Sequence, residues 1–303
     1  MKKKRQHYVF QKYLESWTTN KQLWCMMNRK DIIKTNTINV GQEKYFYAIK
    51  DFTKKDLQVA KELVHHNKDS FYSDYWVDMY ELVLKLKDYT KQETADKELV
   101  EAIGFLTNHI EEEINCGVEN RLLPFLEKML EKDLSFLNSD ENKFMLCFCL
   151  MEQFSRTKMM KEQLLNNIPE VKNCNFENVW ALVRHSYDGF LGFVLAAQNM
   201  NFCLLYNKEG NFITGDQPIV STKFDWNKEI IESEYYYPLS PSLALIITKD
   251  KNYPHMEIVD ISLEDVEKFN MNIVCNSNFQ IYSNSKEILE KYKERDDYDN
   301  ICR

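Results

Sequence analysis

The feature that most constrains the fold of this chain is a long central stretch that is almost free of helix-breaking residues. From Lys54 to about Pro169 the chain holds three glycines or prolines, which are Gly104, Gly117 and Pro124. Apolar residues recur in this stretch at intervals of three and four positions, which is the spacing of one face of an α-helix. The stretch therefore predicts a region built from several helices.

Short apolar segments bounded by turn residues flank the helical stretch on both sides. Residues 23–26 and 32–37 predict the two strands of a hairpin, with turn residues at 28–31 between them. Further strands are predicted after Phe202, and Ser262 opens a helix with a capping-box sequence. The arrangement predicts an α+β fold, in which a small mixed or antiparallel sheet from both ends of the chain packs against the central helices.

We expect the whole chain, residues 1–303, to form a single domain. Glycine (7) and proline (6) are scarce, and no flexible linker interrupts the sequence. Within the chain the predicted regions are sheet-forming 1–50, helical 54–188 and sheet-forming 200–290.

The charge of the chain disfavours partners that present a phosphate backbone. The formal net charge is −8 and the pI is about 5.4, so the overall field does not attract nucleic acid. Nucleic-acid contact would need a local basic patch, and the one obvious patch is Lys2 to Arg5 at the terminus. Apolar runs such as 190–197 are too short to cross a bilayer, so we expect no membrane partner and a cytoplasmic location.

The eight cysteines do not show the spacing of a disulfide framework or of a metal site. They are scattered, mostly inside apolar segments, no Cys-x-x-Cys occurs, and no secretory signal precedes them. We therefore expect all eight to be free thiols, as in a reducing cytosol.

Several segments with a common order and rough spacing resemble those of one bacterial family. They are His7-Tyr8-Val9 with Tyr13-Leu14, Leu23 to Met26, Gln153 and Arg156 within Phe144 to Met159, Phe212 to Pro218, Tyr237 to Pro241, and Phe269-Asn270 with Ile281-Tyr282-Ser283. Together they resemble domain-of-unknown-function family 4238 along most of the chain. Two positions depart from the pattern: Phe10 stands where the family usually has Pro, and Gly215 where it often has Ser. The resemblance implies a shared fold and a shared site, and no particular activity.

Four polar residues coincide with the family pattern and form the candidate site. His7 and Asp216 are the catalytic candidates, because an imidazole can act as general acid or base and a carboxylate can orient it. Gln153 and Arg156 are the substrate-binding candidates, since a guanidinium suits phosphate or carboxylate. A structural alternative stays open, in which Arg156 and Asp216 form a buried ion pair and His7 anchors the N-terminus. We assign no residue as a metal ligand, and the sequence does not identify a cofactor.

Other sequence patterns are weaker. Glu62 and His65 form one Glu-x-x-His, whereas a carboxylate-bridged di-iron site needs a second copy and further glutamates. His109 and Glu113 are four apart, and the neighbouring Glu111 and Glu112 favour a solvated acidic helix face with a local His-Glu pair. His185 beside Arg184 favours a position near a helix end. Two tripeptides have the Glu-x-Lys pattern of some nucleases, but neither lies on a predicted strand. They are Glu141-Asn142-Lys143 and Glu170-Val171-Lys172.

Three function hypotheses remain open at this point. One is a hydrolase, for example a nuclease, acting on phosphodiester or nucleotide-like substrates, which requires the four candidate residues to converge on one solvent-reached cleft. The second is a non-catalytic effector or sensor of a bacterial defence or conflict system that binds an unknown small molecule or protein. The third is a purely structural interaction module.

Overall fold

The Gly- and Pro-poor centre of the chain is helical and strands lie on both sides of it, which confirms the α+β class. The structure is a computed structural model that describes residues 5–49, 52–65, 71–167, 174–222 and 234–294. Lys2 to Lys4, Glu170-Val171-Lys172 and Cys302 lie outside the described residues.

Helices occupy most of the region between residues 54 and 197, and further helices lie near both ends. They are α1 Gln11–Glu15, α2 Lys54–His65, α3 Phe71–Tyr89, α4 Lys97–Leu130, α5 Asp140–Ser155, α6 Lys158–Asn167, α7 Phe176–Ala197, α8 Leu263–Asn276 and α9 Lys286–Glu290. The strands are β1 Arg5–His7, β2 Gln22–Met27, β3 Asp31–Asn36, β4 Gln42–Lys44, β5 Asn201–Tyr206, β6 Thr214–Gly215, β7 Val220–Ser221, β8 Tyr235–Ser240, β9 Leu243–Thr248, β10 Ile258–Asp260 and β11 Gln280–Ser283.

The described strands form three sheets rather than one small sheet. The strand orders are β1-β4, β10-β5-β9-β8-β7 and β3-β2-β11-β6. Neighbouring strands are antiparallel except for β10 and β5, which are parallel. Alternating apolar segments of similar length do not say which partner each strand will choose, and this is why the division was not predicted.

The four-stranded sheet joins the two ends of the chain, as predicted. Strand β11 lies between β2 and β6, with Tyr282 opposite Cys25 and Ile281 opposite Gly215. A Cβ added at Gly215 would lie 2.0 Å from the hydroxyl oxygen of Ser277, so a side chain at this strand position would require Ser277 to move. The N-terminal hairpin of β2 and β3 is therefore part of the same sheet as the C-terminal strand β11.

Helix α7 packs against α2, α3 and α5 and is buried over most of its length. The helical region was predicted to end at residue 188, but α7 continues to Ala197, and its last turns still bury Gly192 and Leu195. Gly192 allows the closest approach, since a Cβ there would lie 2.7 Å from the Cα of Phe148 on α5. The central helices and the strands contribute buried side chains to one continuous hydrophobic core.

The expectation that all eight cysteines are free thiols is wrong. Cys275, near the end of α8, is disulfide-bonded. The free cysteines of the described residues are Cys25, Cys116, Cys147, Cys149, Cys174 and Cys203. A disulfide requires two sulfur atoms at bonding distance, and sequence spacing alone does not show which cysteines the fold brings together.

None of the described helices combines the length and the apolar character that a membrane-spanning segment requires.

Candidate functional site

Arg156 and Gln153 form the centre of the candidate site, and the end of helix α5 positions both. Arg156 is the residue that caps the C-terminus of α5, and Gln153 lies three positions earlier, on the same face. Nη2 of Arg156 donates to the side-chain oxygen of Gln153 at 2.5 Å and to the carboxylate of Glu119 on α4 at 2.6 Å. Nε2 of Gln153 in turn donates to the main-chain oxygen of Tyr8 at 3.2 Å. The guanidinium is thus held in one orientation by two helices and the N-terminal segment.

The guanidinium of Arg156 is buried, yet two of its three nitrogens have no acceptor in the part of the chain that the structure describes. Arg156 is 1% exposed, and its Nε and Nη1 find no hydrogen-bond acceptor among the described residues. Burial alone would lower the pKa of Arg156, but the carboxylate of Glu119 outweighs it and raises that pKa. Glu119 is 19% exposed, so the ion pair reaches the surface on that side.

Two tyrosines face the charge of Arg156. Burial raises the pKa of Tyr47 and of Tyr237, and the positive charge of Arg156 opposes the rise in both. The hydroxyl of Tyr237 has no hydrogen-bond partner among the described residues, and its ring stacks on Tyr13 at 5.0 Å. The surroundings of the guanidinium therefore combine aromatic walls with one further polar group that lacks a partner.

Asp216 holds the start of strand β11. It follows β6 and is 1% exposed. Its carboxylate accepts the backbone N–H groups of Asn278, Phe279 and Gln280 at 2.8, 2.7 and 2.9 Å. Burial raises the pKa of Asp216, and these backbone donors limit the rise, so that the pKa is about 6.

The ion pair considered between Arg156 and Asp216 does not form, because each group has other partners. Their chain neighbours connect them instead: the hydroxyl of Thr157 donates to the side-chain oxygen of Gln217, and Nε2 of Gln217 donates to the main-chain oxygen of Phe154 at 3.1 Å. The two family segments are therefore linked, although the two charged side chains are not paired with each other.

His7 lies on β1 and is partly buried. Its main-chain oxygen accepts the hydroxyl of Tyr47 at 3.4 Å. The next residue, Tyr8, connects the N-terminal segment with the other candidates, since its main-chain oxygen binds Gln153 and its pKa is raised by burial and by the charge of Asp216. The structure thus joins Gln153 and Arg156 directly, and Tyr8 lies close enough to Asp216 for its charge to act on the tyrosine hydroxyl. The catalytic roles of His7 and Asp216 stay predictions.

The comparison with family models decides the assignment of the chain. The model described as protein of unknown function (DUF4238) matches residues 5–287. The chain belongs to this family. No curated protein and no solved structure matches the chain. Every segment on which the resemblance to DUF4238 was based therefore lies within the matched range.

The helices of this DUF4238 protein also enclose a charged cluster that sequence analysis missed, which we call the buried ion cluster. Its members are Glu111 on α4, Glu152 on α5, and Arg184, His185 and Asp188 on α7, and none is more than 2% exposed. Nε2 of His185 lies 2.9 Å from Glu111 and Nδ1 lies 3.0 Å from Glu152. Arg184 donates to Glu152 and lies 3.6 Å from Asp188. The expectations of a solvated acidic face and of a helix-end His185 are wrong, because α4 and α7 turn these side chains towards each other in the interior.

The ionisation states of the buried ion cluster follow from its geometry. Burial and Arg184 lower the pKa of His185, but the carboxylates of Glu152 and Glu111 outweigh them and raise it to about 9. Burial raises the pKa of Glu152, but His185 and Arg184 outweigh it and lower it to about 2. For Asp188, burial and the charge of Glu152 raise the pKa well above its ordinary value. The cluster thus pairs two cationic side chains, Arg184 and His185, with the carboxylates of Glu111 and Glu152, and the carboxyl group of Asp188 lies beside Arg184.

An isolated charge within an apolar helix was the available signal for the buried ion cluster. Glu152 follows the apolar run of α5, and Arg184 and Asp188 interrupt the apolar face of α7 at a spacing of four. Buried charges are paired in proteins, so such positions point to partners elsewhere in the chain. No group of three or more His, Cys, Asp or Glu side chains in the described part of the chain is arranged to hold a metal ion.

Two clefts lie on opposite sides of helix α6. One, of about 360 Å³, is lined by Lys158, Lys161 and Glu162 of α6 together with residues of β4 and α7. Lys161 pairs there with Glu177, and its ammonium lies 4.8 Å from the ring centre of Phe46. The other cleft, of about 270 Å³, lies between α6, β7 and the end of α8. Neither cleft is lined by any of the four predicted site residues.

Proposed function

We propose that this DUF4238 protein is a ligand-binding protein, a sensor or effector, that recognises an anionic group of a small molecule through Arg156. The observation that carries the proposal is that Nε and Nη1 of this buried guanidinium have no acceptor among the described residues. Leaving buried donors without acceptors costs about 1–3 kcal/mol per group. An acceptor supplied by a ligand offsets that cost at the moment of binding.

The neighbours of Arg156 suit such a role. Gln153 and Glu119 hold the guanidinium by one nitrogen and leave the others available. A guanidinium fixed in this way recognises carboxylate or phosphate oxygens by charge-assisted hydrogen bonds. The hydroxyl of Tyr237, which also lacks a partner, offers a further donor beside the same charge.

Binding fits the geometry better than hydrolysis does. A general base must have an oxygen or nitrogen available to take a proton from the nucleophile. Both carboxylate oxygens of Asp216 already accept backbone N–H groups of the segment that leads into β11. The carboxylate is therefore engaged in holding a strand, and Arg156 remains the candidate residue with unused donors.

The anion proposal is tested by the melting temperature of the protein in rising sodium phosphate, with ionic strength held constant by sodium chloride. At a phosphate concentration ten times the dissociation constant, the melting temperature should rise by about 2–5 °C. A parallel series in sodium acetate distinguishes a carboxylate site from a phosphate site. In the Arg156→Met variant, phosphate should no longer raise the melting temperature. In Glu119→Gln the same rise should occur at a lower phosphate concentration, because the negative charge that opposes the anion is removed.

The matched control is Arg121→Met, which removes an exposed arginine of α4 close to Glu119. It should keep the wild-type response. If the melting temperature rises equally in Arg156→Met and in wild type, the effect is a general salt effect. If neither phosphate nor acetate raises the melting temperature of the wild type, the proposal is contradicted.

Hydrolysis of phosphodiesters is a second candidate, supported by the pKa of about 6 at Asp216. A carboxyl group with a pKa near neutrality can act as an acid or a base, and such values cluster at catalytic sites. Release of nitrophenol from bis(p-nitrophenyl) phosphate tests this candidate directly. Activity that disappears in both His7→Ala and Asp216→Asn, while both variants remain folded, would favour it over the binding proposal.

A further inference from the structure

The cleft of about 270 Å³ between α6 and the end of α8, which we call the α6–α8 cleft, has an uncharged lining. Methionines Met159 and Met160 supply apolar surface, and amide and hydroxyl groups supply the polar atoms. Among the described residues, the lining includes no Asp, Glu, His, Lys or Arg. A charged ligand would lose its hydration there without gaining a counter-charge, so the cleft suits an uncharged ligand.

Three lining residues have polar atoms that are not used within the protein. The side-chain amide of Gln163 makes no hydrogen bond with the described residues, and the buried hydroxyl of Ser221 has no partner among them. Asn276 donates from Nδ2 to the main-chain oxygen of Asn272 at 2.8 Å, which leaves its carbonyl oxygen as an acceptor. The cleft thus offers both donors and acceptors.

Gln217 has a different role at the same cleft. Its Nε2 donates to the main-chain oxygens of Phe154 and Ile219 at 3.1 and 2.7 Å, and its oxygen accepts the hydroxyl of Thr157. All of its principal hydrogen-bonding groups are engaged inside the protein. Gln217 therefore fixes one wall, while Gln163 and Ser221 stay available for a ligand.

We propose that the α6–α8 cleft binds an uncharged nucleobase, as a free base or a nucleoside. A glutamine amide can pair with the edge of a base that carries one donor and one acceptor. Thioether sulfur atoms make favourable contacts with aromatic rings. The volume of about 270 Å³ lies just below the usual range for small-molecule sites, so the cleft suits one ring system with a sugar at its mouth.

This proposal goes beyond the anion site and does not depend on it, because Arg156 does not line the α6–α8 cleft. Nucleosides carry no phosphate, so they test the cleft separately from the guanidinium. The Arg156→Met variant should bind nucleosides with wild-type affinity, whether or not the anion proposal holds.

The test is isothermal titration of the protein with adenosine, guanosine, cytidine and uridine, and with methyl β-glucoside as an uncharged polar probe without an aromatic ring. At least one nucleoside should bind, and the glucoside should not. Gln163→Leu and Ser221→Ala should each weaken that binding, roughly tenfold or more for Gln163→Leu. The matched control is Asn166→Leu, which removes an exposed amide on the same helix outside the cleft and should change nothing.

Three results would overturn the proposal. One is that none of the four nucleosides binds, and another is that the glucoside binds as well as they do. The third is that Gln163→Leu and Ser221→Ala both bind the nucleoside as tightly as Asn166→Leu does. Because the substituted side chains lie at the cleft and make no side-chain hydrogen bonds within the described protein, the variants should fold, which circular dichroism and the melting temperature check.

Discussion

At the scale of single residues, the carboxylate of Asp216 binds the backbone segment that leads into β11 and the first residue of that strand. Three consecutive backbone N–H groups, from Asn278 to Gln280, converge on its two oxygens. The N–H of Asp216 itself donates back to the main-chain oxygen of Gln280 at 2.9 Å. One side chain thus sets where β11 begins beside β6.

Replacing Asp216 by Asn should therefore destabilise the protein, even if the residue has no part in chemistry. The amide NH₂ would face a backbone N–H donor, and one buried donor would be left without an acceptor. We expect a loss of about 1–3 kcal/mol at pH 7 in urea unfolding. Asp260→Asn, at an exposed position of β10, should cost little. An Asp216→Asn protein as stable as wild type would contradict this role.

The pH dependence of the same variant has a definite sign. The pKa of Asp216 is about 6 in the folded protein and 3.8 ordinarily, so the group favours folding fully below pH 3.8 and loses that contribution as the pH rises through 6. Asp216→Asn has no such group. The difference in the free energy of unfolding between wild type and Asp216→Asn should therefore become smaller as the pH rises from about 4 to about 6.

At the scale of elements, helices α4, α5 and α7 are joined by the ions that they bury. His185 is in contact with carboxylates from two of the neighbouring helices, and the ring of Trp76 from α3 stacks on it at 4.2 Å. Removing one partner of a buried ion pair leaves a charge that nothing compensates. The relative positions of these helices therefore depend on His185 more than on any surface ion pair.

His185→Gln should lower the free energy of unfolding by about 3–5 kcal/mol near pH 6. The pKa of His185 is about 9 when folded and 6.5 ordinarily, so its contribution is complete below pH 6.5 and is lost as the pH rises through 9. Urea unfolding at pH 6, 7.5 and 9 should show this loss in wild type and a smaller one in His185→Gln. The control is His109→Gln, which changes a buried histidine bonded to the main-chain oxygen of Phe105. Its free energy of unfolding should fall with rising pH as steeply as that of wild type. If the free energy of unfolding falls equally steeply with pH in all three proteins, His185 is not the group responsible for the loss.

What sequence analysis could predict at this scale depended on how local each interaction is. The hydroxyl of Ser262 accepts the N–H of Asp265 at 3.2 Å, as the capping-box sequence predicted, and Gln153 contacts Arg156 because residues three apart share a helix face. The partners in the buried ion cluster are far apart in the chain: Glu111 and His185 are separated by 74 positions. Helical periodicity places such residues on a face but does not show which faces meet. The four predicted site residues were identified because they belong to family segments. The sequence did not show how their side chains are arranged around one another.

At the scale of the whole molecule, the sheet β3-β2-β11-β6 makes the N-terminal hairpin and the C-terminal strand depend on each other. Cys25 and Met26 of β2 are fully buried opposite Tyr282 and Ile281 of β11. A disturbance at one end of the chain should therefore appear at the other.

Hydrogen exchange measures this dependence. The amides of β2 and β11 should exchange slowly and at similar rates, because both open in one cooperative unit. Gly215→Ala should accelerate exchange in both strands, since its Cβ would collide with Ser277 beside β11. Gly104→Ala, where a Cβ meets no atom within 4 Å, is the matched control and should leave both strands unchanged. Acceleration confined to β11 would show that the hairpin is independent.

The pairing of β2 with β11 also sets the order of events while the chain is being made. Strand β2 leaves the ribosome early, but its partner follows roughly 250 residues later, which at about 5–20 residues per second is roughly 10–50 s. During this interval the edge of β2 that later meets β11 has no native strand to pair with, and exposed edges recruit other chains. This edge of β2 therefore has no native partner until β11 has been synthesised, and closure of the sheet is an event that follows synthesis of β11.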